Sequence, residues 1–301
     1  MNALAFPTVV YALVSLVQCI PFKGSHELTL RPGRNLIGKE LDCIQMSNDE
    51  GDFWYRSTGD EEGTCGFYIV GHHDELVEVE FTAIDVDCKQ NGAVSVIDGW
   101  ELNGEYFPGV QDHALPLVQR VHQFCGKEAK LASYKTFRSS QNVALILYQI
   151  PRKGQGFQVT VRFVRNHQPC NVLSMFDTGV YTLYNYGRRI NCTFSIIYPE
   201  AVQILSLNVG NAGRTFGETG LITKCAERGS EDYVEFRDGV GLSPMKMNAV
   251  MNVCGLHPMP EADKIPLPCQ NSVVRLVSSG EYQNSVTFSY RKLKPFEGQC
   301  L

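Results

Sequence analysis

Eleven cysteines, at positions 19, 43, 65, 88, 125, 170, 192, 225, 254, 269 and 300, constrain this 301-residue chain more than any other feature. Cys43 and Cys65 are 22 positions apart, and so are Cys170 and Cys192. Each pair is followed by another, Cys88 with Cys125 and Cys225 with Cys254. No two cysteines form the C-x-x-C pair of a zinc ribbon or a thioredoxin-like redox site. The flanking residues repeat as well. VSVIDG (94–99) aligns with VEFRDG (234–239), and NVALILYQIPRKGQGFQVTVRF (142–163) aligns with NSVVRLVSSGEYQNSVTFSYR (271–291). A unit well over about 100 residues long is too large for a solenoid repeat and implies two tandem copies of one domain.

The N terminus has no charge before Lys23 and an apolar run from Leu4 to Ile20. A run of this length predicts a secretory leader over 1–22, with an uncleaved membrane anchor as the alternative. Removing the leader leaves ten cysteines, an even number suited to an oxidising compartment. A secreted, extracellular protein is therefore expected, with no membrane contact after cleavage. Asn191-Cys192-Thr193 is a glycosylation sequon, and its central cysteine sets disulfide formation against modification. A net charge of -5 gives no reason to expect nucleic acid as a partner. The expected division is leader 1–22, N-terminal segment 23–40, first domain 41–165 and second domain 166–301. The boundary falls in the polar run from Arg165 to the helix breaker Pro169.

Hydrophobic periodicity is that of strands. Phe157, Val159, Val161 and Phe163 alternate with Gln158, Thr160 and Arg162. Val286, Phe288 and Tyr290 alternate with polar residues in the second copy, and Val77, Val79 and Phe81 do so in the first. Such alternation buries one face of a strand and leaves the other in water. Leu115–Phe124 is the best helical candidate. Two all-β sandwiches are expected. The simplest cysteine pairing is nearest-neighbour, Cys43–Cys65, Cys88–Cys125, Cys170–Cys192, Cys225–Cys254 and Cys269–Cys300. Spacing alone leaves other connectivities open.

The repeat resembles tandem CUB domains, whose third cysteine precedes a strand of the form seen in Asp232-Tyr233-Val234-Glu235-Phe236-Arg237-Asp238-Gly239. Over residues 41–296 the chain is more closely similar to the corticotropin-releasing factor-binding protein family. The segments that carry this are VIDGWELNGEYFPGVQDHALP (96–116), RSSQNVALILYQ (138–149), PCNVLS (169–174), NCTFSIIYP (191–199) and VVRLVSSGEYQNSVTFSYRKLKP (273–295). The resemblance implies CUB-like jelly-roll sandwiches, nearest-neighbour disulfides within each domain, and a non-enzymatic secreted glycoprotein. Its partner would be a corticotropin-releasing-factor-like or diuretic-hormone-like peptide, which it sequesters. The alternative is a CUB-type interaction module of a protease or matrix complex. In the family, peptide binding involves an arginine four residues before the first cysteine and an aspartate two after it. Here those positions hold Lys39 and Gln45, which loses the guanidinium fork at one and the negative charge at the other.

Candidate binding residues are therefore Lys39, Asp42 and Gln45, joined by Phe53, Trp54 and Tyr55. These aromatics stand in a polar, loop-like stretch and suit an interface. Trp100 fits a core as well as a surface. No metal or cofactor is expected. A CUB-type calcium site needs several oxygens, but Gly220 stands where its glutamate would be, and the loop Ser278-Ser279-Gly280-Glu281 lacks its aspartate. Asp232 and Asp238 would lie roughly 20 Å apart along a strand, too far for joint acid–base catalysis, and are expected at solvated strand ends. His72 and His73 point apart if extended, so His72-His73-Asp74-Glu75 is expected to be a polar turn. Asp112-His113 is expected to be a loop, Arg188-Arg189 an exposed hairpin turn, and Arg291-Lys292-Leu293-Lys294 a solvated strand edge.

Overall fold

The computed structural model describes residues 38–294 and 297–300, apart from 61–62, 89–90, 127–135 and 211–219. The leader expected over 1–22 and most of the segment 23–40 lie outside the described residues. The first half contains β1 (Lys39–Glu40), β2 (Ile44–Ser47), β3 (Gly51–Arg56), β4 (Cys65–Val70), β5 (Glu75–Asp85), β6 (Ala93–Ile97), β7 (Trp100–Leu102), β8 (Glu105–Phe107), α1 (Leu117–Arg120), β9 (Val121–Phe124), β10 (Thr136–Arg138), β11 (Val143–Gln149) and β12 (Gly156–Arg165). Two layers of five strands result, ordered β1-β3-β12-β5-β10 and β2-β4-β11-β6-β9. Alternation decides which side chains meet between them. Phe157, Val159 and Val161 of β12 are buried, and Val159 and Val161 lie opposite Phe81 and Val79 of β5. The outward Arg162 pairs with Glu80 at the surface.

The second half contains β13 (Val172–Ser174), β14 (Thr178–Tyr184), β15 (Cys192–Ile196), β16 (Glu200–Val209), β17 (Gly220–Thr223), β18 (Tyr233–Gly239), β19 (Asn248–His257), β20 (Ile265–Leu267), β21 (Asn271–Val277) and β22 (Ser285–Lys292). Here the hydrogen-bonded path is continuous, β13-β15-β21-β18-β19-β16-β22-β14. Strand β19 joins the layers, pairing with β18 over most of its length and with β16 at its last residues. The two halves repeat in three dimensions: β2-β4-β11-β6-β9 corresponds to β13-β15-β21-β18-β19, parallel first pair included. Even the aligned aspartates keep one role. Asp98 accepts the Ser140 amide and Asp238 accepts the Cys269 amide, each pinning the turn that enters the next central strand.

Five disulfides join Cys43–Cys65, Cys88–Cys125, Cys170–Cys192, Cys225–Cys254 and Cys269–Cys300, each within its own half. Closing loops of these lengths stabilises by about 3–4 kcal/mol apiece on chain-entropy grounds.

Several expectations change. Phe53-Trp54-Tyr55 is not a loop but the middle of β3, with Phe53 and Tyr55 buried against Phe67 and Tyr148. Period-2 alternation turns two of the three rings inward. Only Leu117–Arg120 of the expected helix is helical; Val121–Phe124 pairs with β6, whose backbone supplies hydrogen bonds that so short a helix lacks. Asp232 and Asp238 are buried rather than solvated. Arg188-Arg189 is an exposed turn, but β14 and β15 are not sheet partners, so it connects one edge of the path to the strand next to the other edge and is no hairpin.

A third apolar cluster lies between the halves. Val70, Ile97, Trp100, Phe107, Val143 and Leu145 of the first half pack with Leu173 and Leu242 of the second. Trp100 belongs to this core, donating its indole N–H to the Ile69 and Ala144 carbonyls. The turn before it depends on Gly99 at φ +121°, where a Cβ would stand 2.1 Å from the Phe107 carbonyl oxygen. At the edge of this cluster Asn142 clamps the other domain: its amide donates to the Leu173 carbonyl and accepts from the Leu173 N–H.

Candidate peptide-binding surface

The N-terminal stretch crosses from one layer of the first sandwich to the other. Lys39 and Glu40 run parallel to Phe53 and Trp54 at the edge of one layer, while Ile44–Ser47 runs parallel to β4 at the edge of the other. Leu41, 3% exposed, plugs the gap between them. Gly38 adopts φ +108°, and a Cβ there would meet the Asp52 carbonyl at 2.0 Å. That close approach lets the Trp54 indole N–H donate to the Gly38 carbonyl at 3.3 Å.

The candidate residues therefore divide. Lys39 and Asp42 are exposed, and the half-buried Trp54 lies opposite Glu40, the residue after Lys39. Gln45 is turned back, its side-chain oxygen accepting the Asp42 N–H at 3.0 Å, and the Asp42 carbonyl accepts the Tyr148 hydroxyl at 2.9 Å. Phe53 and Tyr55 serve the core and are not on the surface. Two residues missed in sequence are more prominent: Ile44 and Met46, 66% and 47% exposed, lie on the solvent side of β2. An exposed apolar edge strand is a site that proteins ordinarily protect or use for pairing.

Next to β2 the two domains enclose an apolar cleft of about 250 Å³. Residues 46–48 and 70–73 of the first domain form one wall, and Leu173, Met175 and Phe176 of the second form the other. His73, expected in a polar turn, does leave the chain at a turn, with the Glu75 N–H donating to the His72 carbonyl. Its ring, however, enters the interface. Phe176, Tyr181 and Phe194 meet it edge-on at 5.5, 5.4 and 5.2 Å, and Nε2 lies 3.2 Å from Ser174 Oγ. Burial, reinforced by neighbouring His72 and only partly offset by Asp74, pushes its pKa down to about 4. A base whose folded pKa is depressed loses stability as pH falls from its ordinary value, 6.5, toward that folded value. Stability measured from pH 6.5 down to 4.5 should drop by about 2 kcal/mol more in the native protein than in a His73→Phe variant. Parallel pH profiles for the two would contradict this.

Opposite charges also cross the interface. Arg275 grips Asp112 with Nε at 2.9 and 3.1 Å and a terminal nitrogen at 2.6 Å, and reaches Glu235 at 2.7 Å with the other. Arg237 holds the far oxygen of Glu235 at 2.9 Å. Thr193 Oγ1 donates to Asp112 at 2.9 Å, so the sequon's threonine is part of the network, while the Asn191 amide donates to the Gln111 carbonyl at 3.1 Å. Asp112 is thus an interdomain anchor and not merely a loop residue. The available signal was Arg275 inside the otherwise apolar run VVRLV. A charge there must face either solvent or a buried partner.

Asp232 is a hydrogen-bond hub. Its carboxylate accepts from Ser278 Oγ, the Ser279 N–H and hydroxyl, and Asn284 Nδ2 at 2.5–3.1 Å. Neutral donors from loop 278–284 surround it where a metal-binding carboxylate would need further oxygens.

Two family descriptions match the chain: the corticotropin-releasing factor binding protein N-terminal domain over residues 35–165 and the C-terminal domain over 172–299. The chain belongs to the corticotropin-releasing factor-binding protein family. The Homo sapiens protein of that name is 37% identical over 273 residues, 88% of this chain and 81% of the relative. Its Mus musculus counterpart is 37% identical over 86% and 78%, and that of Xenopus laevis 34% identical over 85% and 77%. Among solved structures, the CUB1-EGF-CUB2 domains of rat MASP-1 align with 84% of this chain and 100% of theirs, at 12% identity and a TM-score of 0.27. Among the described residues no helix is long and apolar enough to cross a membrane.

Proposed function

We propose that this chain is a secreted, non-enzymatic binder that captures a corticotropin-releasing-factor-like or diuretic-hormone-like peptide and so limits receptor signalling. The observation that carries this is the match of both family domains across nearly the whole described chain. The exposed edge at Lys39, Asp42, Ile44 and Met46, with Trp54 beside it, supports a peptide surface in the first domain. Gln45 contributes by fixing the turn at Asp42. Phe53 and Tyr55 act only by shaping the strand that carries Trp54. The domain limits 41–165 and 166–301, extracellular release and a glycan on Asn191 belong to the same proposal.

The mechanism is mass action. A hormone of this type presents an amphipathic helix whose apolar face needs a partner. Covering that face removes the peptide from the free pool and hides the surface that a receptor would contact. Calorimetric titration with synthetic human corticotropin-releasing factor should give saturable one-to-one binding with a Kd below about 1 µM, and Lys39→Glu should weaken it about tenfold. The absence of saturable heat at about 10 µM protein would reject the function. Unchanged affinity in Lys39→Glu would remove Lys39 from the site.

A further inference from the structure

We propose that the cleft between the two domains receives an apolar side chain of the peptide, and that a Lys or Arg next to this anchor pairs with Asp49, Asp74 and Asp177. The inference rests on the peptide-binding function proposed above and adds where the anchor sits and what must flank it. Volume is the first observation. At about 250 Å³ the cleft exceeds the roughly 150 Å³ that accommodates a benzene ring, so one large apolar side chain fits. Lining chemistry is the second. Met46, Met175 and Phe176 all line it, and thioethers adapt to irregular apolar partners and favour aromatic edges. Phe176 is 52% exposed and Met46 47%, an arrangement left open on the solvent side.

Charge complementarity identifies the occupant. The lining comes from three separate segments, ending at Asn48, His73 and Phe176, and each continues directly into an exposed aspartate: Asp49, Asp74 and Asp177. None of these three carboxylates forms an ion pair among the described residues. An apolar opening whose three lining segments each run into an unpaired exposed aspartate selects against an acidic segment and for one in which a basic residue stands beside the anchor. Strand β2 puts Met46 on the cleft wall and follows the Lys39–Asp42 segment directly in the chain.

The test is titration of synthetic human corticotropin-releasing factor into the full-length secreted protein and two sets of variants. Phe176→Glu places a charge at the mouth on a side chain exposed enough to leave folding intact, and should weaken binding at least about tenfold. The triple variant Asp49→Asn, Asp74→Asn, Asp177→Asn should weaken binding at low salt by about tenfold. It should also flatten the dependence of affinity on ionic strength, which a purely structural role would not do. Val118→Glu, at an exposed site outside the cleft, should bind as the unaltered protein does. If the unaltered protein binds and both cleft variants stay within about twofold of it with the same salt dependence, the cleft assignment is wrong while the peptide-binding function stands. If the unaltered protein does not bind, both are wrong.

Discussion

Replacing Arg275 with leucine is expected to lower the unfolding free energy by about 3–5 kcal/mol, measured by urea denaturation at neutral pH. Arg275 is 4% exposed and is the cation shared by Asp112 of one domain and Glu235 of the other. Burial alone would lower its pKa. The hydrogen bonds and negative charge of Asp112 and Glu235 outweigh that and hold its pKa above the usual arginine value. Removing the guanidinium leaves Asp112 buried without a cation and Glu235 with Arg237 alone, a cost much larger than the net value of the intact pair. Removing Asp112 as well should therefore recover part of the loss: Asp112→Leu combined with Arg275→Leu should be more stable than Arg275→Leu alone. A loss below about 1 kcal/mol for the single change, or an additive double change, would show that the network does not join the domains.

The opposite sign is expected at Glu200. It is fully buried in β16, and neither carboxylate oxygen has a hydrogen-bond partner among the described residues. Burial first, and then the charge of Asp177, pushes its pKa from 4.5 up to about 8, with Lys292 and Arg291 offsetting part of the shift. In the folded protein it keeps its proton at neutral pH, whereas the unfolded chain releases it above 4.5. The folded state thus binds more protons, and stability declines as pH rises from about 4.5 to 8. At pH 7 the penalty is about 3 kcal/mol. Glu200→Gln should remove it, raising the urea midpoint at pH 7 and flattening the alkaline decline while leaving stability near pH 4.5 little changed. A variant less stable than the native protein at pH 7 would show that Glu200 is ionised and held by a compensating partner. His73 acts in the other direction, weakening the interface as pH falls, so the two groups together place the stability maximum in the mildly acidic range.

The sandwich was legible because its two signals are local. Alternation at Phe157–Phe163 and Val77–Phe81 marks strands without knowledge of their partners, and the repeated 22-residue cysteine spacing marks the domain copy. The same rule applied to Asp52-Phe53-Trp54-Tyr55-Arg56 would have turned Phe53 and Tyr55 inward. Flanking charges made a strand look like a loop. Buried polar groups were illegible for a different reason. Asp112 and Arg275 are 163 positions apart, and Asp232 meets Ser278 and Asn284 across 46 and 52. Nothing local distinguishes such carboxylates from solvated ones. The cleft was hidden likewise, since it exists only once residues 46–48, 70–73 and 173–176 meet across the domain interface.

Sequestration is tested most directly on cells that carry a corticotropin-releasing factor receptor and a cyclic-AMP reporter. The peptide dose–response curve is recorded with and without the purified protein. Capture by mass action predicts a parallel rightward shift that grows with protein concentration, sets in near the calorimetric Kd, and is reduced by Lys39→Glu. A dose–response curve unmoved by protein well above that concentration would contradict the account.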